Sequence, residues 1–214
     1  MRYNISIVLL IIFSCVTEKS KNFHLPIYTP ADLDPDWVDN SLHMSKSPHF
    51  IPKFSFKNQK GKTIDSDLVE GKILAVNYFF TTCPSICPIL TNNMKRVQNT
   101  FLKDLEVLIL SHTVYPEHDS VAVLDAYAEL YDILPENWHL LTGDKSEIYK
   151  MARKGYFAVK GDSIYDLDAF IHTENFVLVD KKSRIRGFYN GTNKHEVNRM
   201  IEDIFALKNE VPAL

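Results

Sequence analysis

The chain has 214 residues, 45% of them hydrophobic and 24% charged, with a formal net charge of −3. That is enough material for one sizeable core, so its three cysteines are not the staples of a small disulfide scaffold. The slightly acidic balance offers no electrostatic footprint for a nucleic-acid backbone, so the reading carries no nucleic-acid partner.

Arg2 and the apolar run Ile5 to Phe13 form a short basic-then-hydrophobic start, too short to span a bilayer. Ile12-Phe13-Ser14-Cys15 resembles a bacterial lipobox, with a small residue before the cysteine that becomes lipidated. Residues 1–15 are therefore expected to be a lipoprotein-type signal peptide, with acylation at Cys15 anchoring the protein to a membrane surface. The plain alternative is an ordinary signal peptide, or an uncleaved anchor, with an incidental cysteine. Either way the domain works outside the cytoplasm, in the cell envelope, where a dithiol tends to be oxidised and must be kept reduced. Residues 16–50 read as a tether and arm: Glu18-Lys19-Ser20-Lys21 is polar, and Pro26, Pro30, Pro35 and Pro48 punctuate the rest. Trp37, Val38 and Leu42 are expected to pack on the domain that follows, residues 51–214, with packing on a partner as the alternative.

Phe54-Ser55-Phe56 alternates like a strand, and Asn58 to Lys62 is a hairpin turn into Thr63-Ile64. Ile73 to Phe80 is apolar, short and rich in β-branched and aromatic residues, which predicts a buried strand. From Pro88 onward Ile89, Leu90, Met94, Val97, Phe101 and Leu102 recur at helical spacing. A second apolar strand follows over Leu105 to Leu110, then a helix over Ser120 to Leu134 capped by Asp119 or Ser120. Trp138 to Leu141 is a short strand and Lys145 to Arg153 a helix. Asn175–Val179 and Arg184–Tyr189 form a hairpin, and a helix over Lys194 to Leu207 closes the chain. Strands alternating with helices place the domain in the α/β class. The expected architecture is a thioredoxin-like sandwich, a central mixed sheet flanked by helices, with an N-terminal hairpin.

The stretch Thr81-Thr82-Cys83-Pro84-Ser85-Ile86-Cys87-Pro88 puts two thiols where a strand end feeds a helix N-terminus. The helix dipole there favours the thiolate, which is the nucleophile of disulfide exchange and a ligand for soft metals. Cys-x-x-x-Cys is one residue longer than the thioredoxin-type motif, which changes how the sulfurs converge. Two inert buried cysteines, or a structural disulfide, are the plain alternatives. Thioredoxin-fold oxidoreductases place a cis-proline opposite the dithiol, yet this chain has no proline between Pro135 and Pro212. His172 stands in the corresponding segment, where the expected fold would bring it over the thiols. Two thiolates and an imidazole suit copper, the sulfurs favouring Cu(I) and the imidazole tolerating Cu(II). Zinc on the same set would want a fourth ligand or water. His112 and His118 flank the loop after the second strand, as transient metal ligands or as locally hydrogen-bonded or exposed side chains. His24, His43 and His49 lie in the arm, and His139 alternates with apolar neighbours in a strand.

With these residues in view, the chain resembles the Sco/SenC family of copper-binding, thioredoxin-fold proteins that help assemble the dinuclear copper centre of cytochrome c oxidase. The resemblance runs from about Ile51 to Leu207. It is carried by Phe54-Ser55-Phe56 with Gly61-Lys62, by Tyr78 through Pro88, and by Ser111-His112-Thr113-Val114. Leu141-Thr142-Gly143 and His172-Thr173 before Phe176-Val177-Leu178-Val179-Asp180 complete it. It implies Cys83, Cys87 and His172 as copper ligands. The partners it implies are an apo cytochrome c oxidase copper-site subunit, a copper donor protein and a thiol reductant of the envelope. One departure is visible: Tyr115 precedes Pro116 where family members often carry Asp.

Two functions follow. One is a metallochaperone holding copper on Cys83, Cys87 and His172. The other is a thiol–disulfide reductase whose redox-active Cys83 and Cys87 reduce the oxidase copper-site cysteines or other envelope thiols. A peroxidase of the same fold fits poorly, since it wants Thr-x-x-Cys and Thr81 lies only two residues before Cys83. The lipobox makes a direct prediction. Cys15→Ala should move the protein from the membrane to the soluble fraction on cell fractionation, and continued membrane attachment would remove the lipid anchor from the scheme.

Overall fold

The computed structural model describes residues 24–34, 36, 38, 42, 44–159, 171 and 173–210. Cys15 and the signal segment, Trp37, His43 and His172 lie outside the described residues. Seven strands form one sheet: β1 (Ser55–Asn58), β2 (Thr63–Asp65), β3 (Ile73–Phe79), β4 (Val107–Thr113), β5 (Trp138–Thr142), β6 (Asn175–Val179) and β7 (Ile185–Asn190). The helices are α1 (Ser66–Val69), α2 (Ile86–Thr100), α3 (Val121–Tyr131), α4 (Lys145–Lys150) and α5 (Lys194–Asn209). The strand order is β2-β1-β5-β4-β3-β6-β7. β3, β4 and β5 run parallel, while β1 and β6 flank them antiparallel, so the sheet is mixed. This is the thioredoxin-like sandwich expected, with the β1–β2 hairpin at its N-terminal end.

β3 is central because every one of its residues is buried, and the pleat sends them alternately to two cores. Ile73, Ala75 and Phe79 pack with Leu90, Met94 and Val97 of α2, Leu124 of α3 and Ile204 of α5. Leu74, Val76 and Tyr78 pack on the other side with Val69, Ile148 and Tyr156. Asn77 is the polar exception: it accepts from the Ser111 hydroxyl at 2.5 Å, and Ser111 in turn accepts from the Trp138 indole at 2.8 Å. That chain ties β3, β4 and β5 together inside the core.

The arm packs on this body, with Val38 buried and Leu42 against the second core. Arg186, 1% exposed, fastens it. Its guanidinium donates to the carbonyls of Pro26 and Leu25 and to the carboxylates of Asp180 and Glu210, at 2.7–2.9 Å. All its donors are thereby used, which offsets the cost of burying the charge.

Several element ends differ from the periodicity, each for a local reason. The second strand starts at Val107 rather than Leu105, because Asp104 turns the chain by accepting from the Glu106 and Val107 amides. Leu105 is left 70% exposed. α3 stops at Tyr131 because Asp132 takes a left-handed conformation (φ 51°) and the Ile133 amide returns to the Ala128 carbonyl. The helix expected to reach Arg153 as one piece becomes a π-turn over Met151–Gly155, with the Tyr156 amide bonded five residues back to Met151. α2 begins at Ile86, two residues early, which leaves Pro88 in the first turn where its missing N–H costs nothing. Gly61 supplies the positive φ (71°) that the β1–β2 turn requires.

His112 stands at the strand end as expected, within β4, but it is neither exposed nor available as a transient ligand: it is completely buried. Its ring stacks on Tyr78 at 5.2 Å and meets Phe56 and Tyr156 at 5.3 and 5.7 Å. Among the described residues neither ring nitrogen has a hydrogen-bond partner, nor do the hydroxyls of Tyr78 and Tyr156. Burial pulls its pKa down to about 3, and that of buried His139 down to about 4.

A histidine lowered on folding stabilises fully above its unfolded pKa, near 6.5, and that stabilisation drains away as pH falls toward the folded value. For His112 the loss at pH 5 is about 2 kcal/mol. Urea midpoints measured at pH 7.5 and pH 5 should therefore fall steeply for the parent and less for His112→Phe. Equal pH dependence in both would contradict the burial of a neutral imidazole.

Candidate metal and redox centre

The dithiol loop leaves the C-terminal end of β3 and enters α2. Phe80 ends the buried run, and the Cys83 amide turns back to the Phe80 carbonyl at 3.3 Å. Cys87 then falls on the first turn of α2, on the face that buries Leu90 and Met94. Both sulfurs are unbridged thiols, Cys83 8% and Cys87 4% exposed. They share a cavity of about 320 Å³ with Tyr78, Phe80, Ile86, Ile171 and Thr173.

The two thiols are held differently. Burial works against ionising Cys83, but hydrogen bonds from the Cys87 and Ser85 amides, and from the Cys87 and Ser85 side chains, outweigh it and bring its pKa down to about 7. The Ser85 hydroxyl lies 3.8 Å from the Cys83 sulfur. Burial pushes the Cys87 thiol up to about 12; the Cys83 sulfur and the charge of Asp119 add to that, and a hydrogen bond from the Phe80 backbone only partly opposes it. One sulfur is thus substantially thiolate at neutral pH while its neighbour keeps its proton.

The third expected donor, His172, lies outside the described residues, but its neighbours in sequence bear on the cavity. Ile171 and Thr173 both line it. The Thr173 hydroxyl donates to the Ala158 carbonyl at 2.7 Å and accepts from the Asn175 amide at 3.1 Å, which pins the chain entering β6. Among the described residues no group of three or more His, Cys, Asp and Glu side chains could hold a metal ion. The soft donors at the cavity are therefore the two sulfurs.

The other histidines fall into structural roles. His118 is half-exposed, its Nδ1 3.0 Å from the Asp119 carboxylate, and its ring stacks on Tyr115 at 5.5 Å. His49 sits 2.7 Å from the Gly155 carbonyl, His139 sits 3.3 Å from Asn58, and His24 pairs with Glu210.

Asp119 was expected as one of two helix caps, and Ser120 is the one that caps α3, accepting from the Val123 amide at 3.4 Å. Asp119 is instead fully buried and turned toward the dithiol loop, where it accepts from the Thr81 amide and hydroxyl. The signal for this in the sequence is slight: two capping-type residues stand in a row where one suffices.

Comparison with known proteins places the fold in a family. The SCO1/SenC family model matches residues 43–209. A SCO1/SenC family lipoprotein from Bacillus anthracis superposes with a TM-score of 0.66 at 28% identity, covering 76% of this chain and 98% of that one. BsSco, described as a Sco-family cytochrome c oxidase assembly protein with a disulfide switch, gives 0.65 at 30% identity, covering 77% and 98%. Yeast Sco1, solved with copper bound, shares the fold at a TM-score of 0.57 and 24% identity, covering 78% and 97%. No helix among the described residues is long and apolar enough to cross a membrane.

The contrast between the sulfurs can be read directly. In the reduced protein, alkylation of Cys83 by iodoacetamide should rise with a midpoint near pH 7, while Cys87 stays unlabelled through pH 9. Mass spectrometry of the labelled peptides measures both, and equal rates at the two positions would refute the assignment.

Proposed function

Because the chain belongs to the SCO1/SenC family, we propose that it is a copper metallochaperone of the bacterial cell envelope. It would deliver copper to the dinuclear copper centre of cytochrome c oxidase during assembly. The observation that carries this reading is the pair of free, unequal thiols on one cavity, whose wall also holds both neighbours of position 172. Copper is the cargo here, not a resident cofactor. Cys83, Cys87 and His172 would hold it, the thiolates as soft donors and the imidazole as the ligand that tolerates both oxidation states.

Cys83 is ready to bind at neutral pH, and uptake onto Cys87 must displace its proton, so loading releases a proton. Hand-over then proceeds by ligand exchange. An incoming partner thiolate replaces one protein sulfur at a time, which permits tight holding without trapping. A copper donor protein fills the site, an envelope thiol reductant keeps the dithiol open, and Cys15 acylation keeps the domain at the membrane.

The same asymmetry supports a second reading, a thiol–disulfide reductase. The Cys83 thiolate would attack one sulfur of a partner disulfide, forming a mixed disulfide and expelling the other partner sulfur as a thiolate. Cys87, losing its proton, would then attack Cys83, releasing the second partner thiol and leaving a Cys83–Cys87 disulfide for the envelope reductant. His172 has no part in that sequence.

Copper titration of the reduced full chain beside His172→Ala separates the two. The chaperone reading expects one tightly held copper in the parent and a loss on the order of 100-fold in the variant, with thiol exchange changed by less than about threefold. Weak copper binding indifferent to His172, with a readily cycled dithiol, would transfer the assignment to the reductase.

A further inference from the structure

The buried carboxylate of Asp119 is an expensive feature with a specific geometry. It is completely buried, and it lies between two parallel strand ends. One oxygen accepts from the Thr81 hydroxyl at 2.5 Å and lies 3.0 Å from His118 Nδ1. The other accepts from the Thr81 amide at 3.1 Å and from the Thr113 hydroxyl. Thr113 is the last residue of β4, and its register partner Phe79 is the last residue of β3. Thr113 also accepts from the Tyr115 amide at 3.0 Å, so the turn after β4 hangs on the same group.

A helix cap does not explain this arrangement, since Ser120 already caps α3. Nor does core stability, because a buried carboxylate costs several kcal/mol before its hydrogen bonds return any of it. The bonds do accomplish one thing: they fix Thr81, two residues before Cys83, through main chain and side chain together. Thr81 is where the chain leaves the sheet and ceases to have ladder partners. From Asp119, therefore, the loop inherits the position of the strand ends.

We propose that Asp119 is a positioning residue for the dithiol, acting through Thr81 to set the separation and direction of Cys83 relative to Cys87. The proposal rests on the reading of Cys83 and Cys87 as the working thiols; it does not depend on which of the two functions they serve. Thr81 transmits the effect, and neither residue touches the cargo.

The test uses the full reduced chain with Asp119→Asn, Thr81→Ala, Thr81→Ser and the Asp119→Asn/Thr81→Ala double variant. Three quantities are read: copper affinity, the thiolate–Cu(II) absorption band, and the equilibrium constant for Cys83–Cys87 disulfide exchange with dithiothreitol. Asp119→Asn and Thr81→Ala should each lower copper affinity about tenfold, shift the band, and change the exchange constant at least fivefold. The double variant should be no worse than Asp119→Asn alone, because the two act along one path, and Thr81→Ser should restore parental values.

The proposal fails if the single variants leave both copper affinity and the exchange constant within twofold of the parent. It fails equally if the losses multiply in the double variant, or if Thr81→Ser behaves as Thr81→Ala. Should the parent bind no copper, the chaperone reading falls, and the exchange constant alone still decides the role of Asp119. Thermal midpoints within a few degrees of the parent keep Asp119→Asn interpretable; if it unfolds, the Thr81→Ala and Thr81→Ser pair decides.

Discussion

Complete burial of two adjacent parallel strands is the constraint from which the rest of the molecule follows. All residues of β3 and all of β4 are buried, and their registers run in step from Ile73–Val107 to Phe79–Thr113. Such strands need cover on both faces, which α2, α3 and α5 supply on one side and α1, α4 and the arm on the other. They also end together, at a place where helix N-termini converge and backbone groups run out of ladder partners. The dithiol stands at that place. Its chemistry draws on an edge that the packing makes unavoidable.

The two sulfurs differ because one lies on the loop and the other in the helix. Cys83 belongs to the loop and meets the amides of Ser85 and Cys87. Cys87 belongs to the helix and faces the apolar core. A single strand-to-helix junction can thus hold one thiol as a donor at neutral pH and keep its partner protonated in reserve. The spacing puts Cys87 inside the first turn of α2, one residue past its start at Ile86. Asp119 completes the junction by satisfying the amide of Thr81, which would otherwise be stranded beside the core.

Most of this was legible in the sequence wherever the determinant is local. A run such as Ile73 to Phe80 announces a buried strand, and the alternation of strands and helices announces the layers. Two cysteines, each followed by a proline, announce a junction. What escaped is what depends on distant partners. Asp119 reaches Thr81 across 38 positions, and only the second capping-type residue beside it, Ser120, hints that it is not the cap. His112 stands at the end of an apolar strand and so looks like an exposed or locally bonded side chain beside the loop. Its burial is decided by Phe56, Tyr78 and Tyr156 from three other parts of the chain. The π-turn after α4 keeps the apolar spacing of a helix, and only the Tyr156–Met151 bond reveals the extra residue. His172 was read from the lack of a proline and from its place before β6, and the described residues on either side of it do reach the cavity.

The arm gives the fold a direction. Arg186 holds the carbonyls of Leu25 and Pro26 next to Glu210 at the end of α5, and the cavity there is lined by Ile73, the first residue of β3. The dithiol lies past the last residue of the same strand. Seven residues of extended chain, about 23 Å, therefore separate the point where the arm is fastened from the end that carries the sulfurs. Arg186 grips Leu25 and Pro26 at the pole opposite the dithiol, while Asp32, Leu33 and Asp34 farther along the arm share a pocket with Asn175 at the start of β6. The buried charge at Arg186 and the buried charge at Asp119 thus serve the two ends of one strand: the first fixes where the chain attaches, the second where the thiols point.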